Sequence, residues 1–240
     1  MILKSLITPD EHPYLNMAID WYFLENAIPT LHTFTWSPPA VSIGYLQKSS
    51  ALNWKEIKRR NFLVARRPTG GKAVIHVGDI SLALFLPADI LPKRAKDAYF
   101  VLSNLLQEAL EEITGLHLSR TNEDEYHKHE GCFTSSTGYE IGIQGEKVAG
   151  IAVRKIRTGM LMHVSIRLEP FPSFAGNLIT PPEKMKGTSF KEHGITFSPT
   201  DLHDSMLDTL RRHFSIKIYS LDINRSSLSP YLSKVVVEPN

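Results

Sequence analysis

Apolar residues recur along this chain in two rhythms, one helical and one of strict alternation. Leu15, Ala18, Ile19, Tyr22 and Phe23 fall at helical spacing and predict a first helix, ended by Pro29. Leu31 to Trp36 and Val41 to Leu46 read as strands divided by the turn Ser37-Pro38-Pro39. Ala51 to Arg60 reads as a short charged helix. Ile80 to Leu86 has the unbroken apolar character of a buried strand and is closed by Pro87. Lys93 to Ile113 carries the longest helical stripe (Ala98, Leu102, Leu105, Ala109 and Ile113), with Gly115 where a C-terminal cap belongs. Tyr139, Ile141 and Ile143 predict a strand that turns at Gly145-Glu146 and returns as Lys147 to Val153. Met160, Met162, Val164, Ile166 and Leu168 then alternate with His163, Ser165 and Arg167, so His163 points away from the most apolar face. Asp201 to Phe214 suits a last helix and Ile216 to Leu221 a last strand. Residues 121–130 and 170–199 read as loops. The pattern predicts an α+β fold, a mixed and mostly antiparallel sheet flanked by helices, as a single domain over residues 1–240.

Composition changes this picture little. Apolar content of 42% and charged content of 22% are ordinary for a globular protein. A net charge of +2 supplies no general argument for nucleic acid or membrane surfaces. The first residues, Met1 to Pro9, hold too short an apolar run for a signal peptide, and no stretch nears the ~20 apolar residues of a membrane span. A single cysteine excludes an internal disulfide framework and fits a reducing compartment. The expected location is cytoplasmic.

Candidate chemistry gathers at three places. Residues 66–76 run Arg-Arg-Pro-Thr-Gly-Gly-Lys-Ala-Val-Ile-His between two apolar stretches. This predicts a hairpin whose Gly70-Gly71 turn lets backbone N–H groups approach a ligand, with Arg66, Arg67 and Lys72 supplying charge. A basic surface tip would have the same sequence. Cys132 follows a polar loop, where a thiol has the access that a nucleophile needs; an inert lone cysteine is the alternative. Lys147 begins a strand just past a turn, placed to sit over the Gly-Gly turn and polarise a carbonyl or neutralise a phosphate, and Gly150 inside that strand suggests close approach of a ligand or backbone. Glu123, Asp124, His127, His129 and Cys132 could ligate a metal, but their spacing matches no familiar zinc pattern and no metal site is expected.

Four ordered segments carry a resemblance. Asn16-Met17-Ala18-Ile19-Asp20, Trp36 to Gln47, Arg66 to His76 and Lys147-Val148-Ala149-Gly150 together resemble the lipoate–protein ligase and octanoyltransferase family, a relative of the biotin–protein ligases. The match runs from about residue 14 to about residue 168, which leaves residues 169–240 to pack on that part rather than form an accessory domain. ATP-using ligases of the family usually carry a third glycine where this chain has Lys72, and many lack a cysteine ahead of the motif lysine. Here Cys132 precedes Lys147 by fifteen residues. That arrangement is similar to the cysteine-dependent octanoyltransferase branch. Two positions depart from the usual pattern: the His-Gly pair reads His163-Val164, and the Asp that often follows the motif histidine directly stands at Asp79.

The resemblance implies a biotin/lipoate protein ligase-like catalytic fold. It implies attachment of an octanoyl or lipoyl group to a lysine of a lipoyl domain or glycine-cleavage H protein, from an octanoyl carrier protein through a Cys132 thioester. Cys132 and Lys147 are then the catalytic residues. Arg66, Arg67, Thr69, Gly70, Gly71, Lys72, His76, Gly150 and His163 are the expected substrate contacts. The transferase needs no cofactor. The alternative is an ATP- and magnesium-dependent lipoate–protein ligase working through an acyl-adenylate. A third reading, suggested by His163-Val164, is a non-catalytic acyl- or carrier-binding homologue.

Overall fold

A computed structural model describes residues 1–121, 129–134 and 140–239. The chain opens with strand β1 (Ile2–Glu11), helix α1 (Pro13–Glu25) and strand β2 (Thr30–Trp36). Strands β3 (Ala40–Ile43) and β4 (Leu63–Arg66) enclose helix α2 (Trp54–Arg59). Strands β5 (Val74–His76) and β6 (Asp79–Pro87) precede helix α3 (Ala95–Thr114). Strands β7 (Ser119–Arg120), β8 (Ile141–Ile143), β9 (Glu146–Ile156) and β10 (Gly159–Arg167) follow, then helix α4 (Pro199–His213), strand β11 (Lys217–Ser220) and helix α5 (Ser229–Val235).

Eight strands form one sheet in the order β11-β1-β2-β6-β10-β9-β8-β7. β1 runs parallel to both of its neighbours, and the remaining pairs are antiparallel, so the sheet is mixed and mostly antiparallel. The alternation read in β10 sorts its two faces. Met160, Met162, Val164 and Ile166 join Leu82, Leu84 and Leu86 of β6 in a core covered by α3 and α4. The opposite face packs on α1 and α5 through Phe34, Phe85 and Leu161. Gly115 caps α3 as expected, with φ 66° and its N–H donating to Glu111 O.

Helix α1 is buried on more sides than its stripe suggests. Met17, Trp21 and Leu24 are buried while Leu15 and Tyr22 are only half-buried, because α5 covers a second face of the helix. The residue 66–76 segment is not a hairpin. β4 and β5 do not pair with each other; β3 lies between them, parallel to β4 with Ile43 opposite Arg66, and antiparallel to β5 with Ala40 opposite His76. A parallel β3–β4 pair needs a crossover, which residues 44–62 supply, and this non-local insertion is invisible to local periodicity. The return turn falls at Gln144-Gly145, one residue earlier than Gly145-Glu146. Strand β1, helix α5 and the two-residue β7 have no counterpart among the elements expected from the sequence. No described helix is long and apolar enough to cross a membrane.

Candidate active site

A cavity of about 500 Å³ opens between the large sheet and the three-stranded sheet. Gly150, Ala152, His163 and Ser165 of β9 and β10 form one wall. Trp36, His76 and the Gly70–Gly71 turn face them, and Met17, Phe34 and Phe100 add apolar lining. The volume and apolar character suit a small molecule with a long hydrocarbon part.

Cys132 reaches this cavity through backbone bonding. Gly131 bridges Ala73, and the Cys132 N–H donates to Ala73 O at 2.7 Å. The half-buried sulfur then lies against β9 at Gly150, where a Cβ would come within 2.8 Å of Sγ. The glycine inside this strand therefore marks close packing of the thiol. Lys147 approaches the same sulfur: its Nζ stands 3.5 Å from Cys132 Sγ and donates to Cys132 O at 2.8 Å and to Glu140 Oε1 at 3.0 Å. Burial opposes the Lys147 charge, but the sulfur and the Glu140 carboxylate outweigh it and hold the pKa above the ordinary lysine value. Lys147 thus stays an ammonium. A buried ammonium turns to the carboxylate within reach, so the structure directs this side chain to Glu140 and Cys132.

His76 and His163 both line the cavity. His76 Nδ1 donates to Asp79 Oδ2 at 2.8 Å, Nε2 accepts from Ser42 Oγ at 2.8 Å, and the ring stacks on Trp36. Asp79 thus partners the motif histidine although it stands three residues away in the chain. Burial pushes His76 toward the neutral ring, with Asp79 only partly opposing. Burial would raise Asp79 too, but His76, the nearby Arg167 and the Ser165 hydroxyl hold it below the usual carboxylate range. His163 is held from behind: Nδ1 lies 3.0 Å from Thr69 Oγ1, and Nε2 lies 3.0 Å from Asp20 Oδ2, in pairing range although out of line for a hydrogen bond. The other Asp20 oxygen bonds His32 Nδ1 at 2.8 Å. These two rings overcome burial and hold Asp20 ionised.

The arginines occupy different places from those their charge suggests. Arg66 spends Nη1 on the carbonyls of Gly44, Tyr45 and Gln47, and it does not line the cavity. Arg67 lines it, but its guanidinium donates to Ser42 O, Gly70 O and Lys72 O. Both bind the loop through these donors. Lys72 lines the cavity and donates to His129 O, while Thr69 acts on the cavity only through His163. Sequence reasoning missed Glu140, Asp20 and His32 as partners. Asp20 and Glu140 carried a signal, since Asp20 lies in the first-helix motif and Glu140 between Cys132 and Lys147 in the arrangement shared with the cysteine-dependent branch. Glu123, Asp124, His127 and Tyr139 lie outside the described residues.

The site thus joins a mostly apolar cavity, a thiol at its wall and a buried ammonium beside the sulfur. A family profile described as "Lipoyl protein ligase A/B catalytic domain" matches residues 12–211. An octanoyltransferase LipM of Brevibacillus brevis is 30% identical over 228 residues, covering 85% of this chain and 82% of the relative. Another LipM, of Geobacillus kaustophilus, is 30% identical over 173 residues, and there the match spans 65% of this chain and 62% of the relative. A solved T. acidophilum protein of lipoate-protein-ligase type, with bound lipoic acid, shares the fold at a TM-score of 0.79 and 16% identity, covering 97% of this chain and 95% of that one. The chain belongs to the lipoyl protein ligase A/B catalytic-domain family, and it is an enzyme of the acyltransferase or ligase kind.

Proposed function

We propose that this enzyme transfers an octanoyl group from an acyl carrier protein to a lysine of a lipoyl domain or glycine-cleavage H protein, through a thioester on Cys132. One observation carries the reading: Cys132 Sγ lies at an apolar cavity with the Lys147 ammonium 3.5 Å away. The Cys132 thiolate attacks the carrier thioester; the new C–S bond forms as the carrier thiol leaves and takes up a proton. Exchange of one thioester for another is nearly isoenergetic, so this step needs no ATP. The acceptor amine then attacks the same carbonyl, C–N forms, the bond to Cys132 breaks, and the amine proton passes to solvent. Because Glu140 keeps Lys147 charged, Lys147 serves as a standing counter-charge for sulfur and carbonyl oxygen, not as a base. Seven saturated carbons of an octanoyl chain, at about 0.8 kcal/mol each, give about 6 kcal/mol on burial in the cavity. The named activity of the LipM relatives supports the same reading.

The ligase alternative needs ATP and magnesium. Arg66 Nη1 and the Arg67 guanidinium are engaged with main-chain carbonyls, which favours the transferase reading. The test is mass spectrometry after incubation with octanoyl carrier protein and no ATP. An octanoyl adduct on the Cys132 peptide, discharged by an acceptor lipoyl domain and missing in Cys132→Ser, is the expected result. A chain that stays unmodified, yet labels the acceptor from free lipoate and ATP, would move the assignment to the ligase.

A further inference from the structure

The segment Thr180–Thr188, read from the sequence as loop, touches both members of the Cys132–Lys147 pair from outside the cavity. Glu183 spreads its two carboxylate oxygens over two consecutive backbone N–H groups: Glu130 N donates to Oε1 at 2.7 Å and Gly131 N to Oε2 at 3.1 Å. These are the residues immediately ahead of Cys132. Three residues on, Lys186 N donates to Phe133 O at 2.7 Å, gripping the chain on the other side of the cysteine. Two residues further, Thr188 N donates to Lys147 O at 2.9 Å. The intervening Gly187 has φ +89°, and a Cβ there would fall 2.3 Å from Lys147 O, so the close approach to the β9 strand depends on a residue without a side chain. Charge-assisted bonds from backbone N–H to a carboxylate are among the stronger protein hydrogen bonds. Two of them on adjacent amides fix the direction in which the chain enters Cys132.

We propose that Glu183–Thr188 is a brace that sets the separation of Cys132 and Lys147, and that Glu183 is its positioning residue for the sulfur. The proposal rests on the acyl-transfer reading above. Glu183 does not line the cavity and touches neither the acyl chain nor the reacting atoms; it acts through the placement of Cys132. In Glu183→Gln one amide oxygen still accepts, but the amide NH₂ faces the second N–H donor, so one of the two anchors is lost.

Single-turnover acylation of Cys132 by a small octanoyl thioester, octanoyl-N-acetylcysteamine, separates the possibilities. Glu183→Gln is expected to lower the acylation rate constant at saturation by about 10- to 100-fold, the cost of a displaced nucleophile, with the half-saturating thioester concentration and the thermal midpoint near wild type. A wild-type rate constant, or a change confined to half-saturation, overturns the positioning role. If wild-type protein itself gains no octanoyl adduct, the acyl-transfer reading fails, whatever Glu183 does. Hydrogen exchange on the wild-type protein tests the brace without any variant. The Glu130 and Gly131 amides should be strongly protected, and exchange at free-loop rates would overturn the brace outright.

Discussion

A Cβ built on Gly150 falls 2.8 Å from Cys132 Sγ, 3.3 Å from Phe133 Cε2 and 3.5 Å from Lys147 Cε. The sulfur is the atom free to move, so Gly150→Ala should push it off β9. Acyl transfer should fall on the order of 10- to 100-fold with little change in thermal stability. Wild-type kinetics in the alanine variant would show that the sulfur position is not critical. Lys147→Ala should behave differently. It removes the ion pair of the buried Glu140 carboxylate, which is 4% exposed and keeps a bond from Thr121 Oγ1, and breaking a buried pair costs roughly 3–5 kcal/mol of stability. It should also cost on the order of 10²-fold in rate. The double variant Lys147→Met/Glu140→Gln should recover stability in chemical denaturation and leave the rate low; recovery of both would mean that the ammonium has no part in the reaction. Since the Lys147 pKa is raised in the fold, its contribution to stability is fully present below the ordinary value of 10.5. It is lost only as pH climbs through the higher folded value.

Besides its apolar contacts through Leu202, Met206 and Leu210, helix α4 sends a buried imidazole to the large sheet. His203 Nε2 lies 2.7 Å from Ser5 Oγ of β1, and Nδ1 lies 2.9 Å from Thr33 Oγ1 of β2. Burial, helped by the neighbouring His32, pushes His203 down to about 4, so the folded protein keeps it neutral while the unfolded chain protonates it near 6.5. The stability it contributes is present above pH 6.5 and is lost as pH falls toward 4, up to about 3 kcal/mol. His76, also depressed by burial, adds to the same slope. Urea denaturation at neutral pH and near pH 4.5 should show the wild type losing more stability than His203→Gln. Equal losses would place the acid sensitivity elsewhere. Asp20 and Asp79 act lower still. Their folded pKa values lie below the ordinary 3.8, so their contribution is lost only as pH falls through those lower values.

At the scale of the whole molecule, the C-terminal residues tie separate parts of the fold together. Leu228 and Val235 are buried in the cluster that holds Trp21, Phe23 and Leu24 of α1, Val236 bridges Ala65 of β4, and Val237 joins the small-sheet cluster. Removing residues 225–240 takes away three buried aliphatic side chains, Leu228, Val235 and Val237, and uncovers α1, a loss on the order of 5 kcal/mol. Chemical denaturation of the shortened chain should show it; an unchanged midpoint would mean that α5 only decorates the surface.

Residue order alone was enough to find the two faces of β10, the buried stripe and Gly115 cap of α3, and the candidate residues Cys132, Lys147 and Gly150. Each of these depends on which side of a local element must be dry, or on a motif of adjacent residues, and both are written in consecutive positions. Tertiary structure alone decided that β3 lies between β4 and β5, that Arg66 and Arg67 serve main-chain carbonyls, and that Glu140 faces Lys147. It alone brought Asp20, His32 and His163 together, and set Glu183 behind the cysteine. Those choices follow from a condition on the whole chain: each buried donor, acceptor and charge needs a partner, and the partner that satisfies it is found across the fold, far away in the sequence.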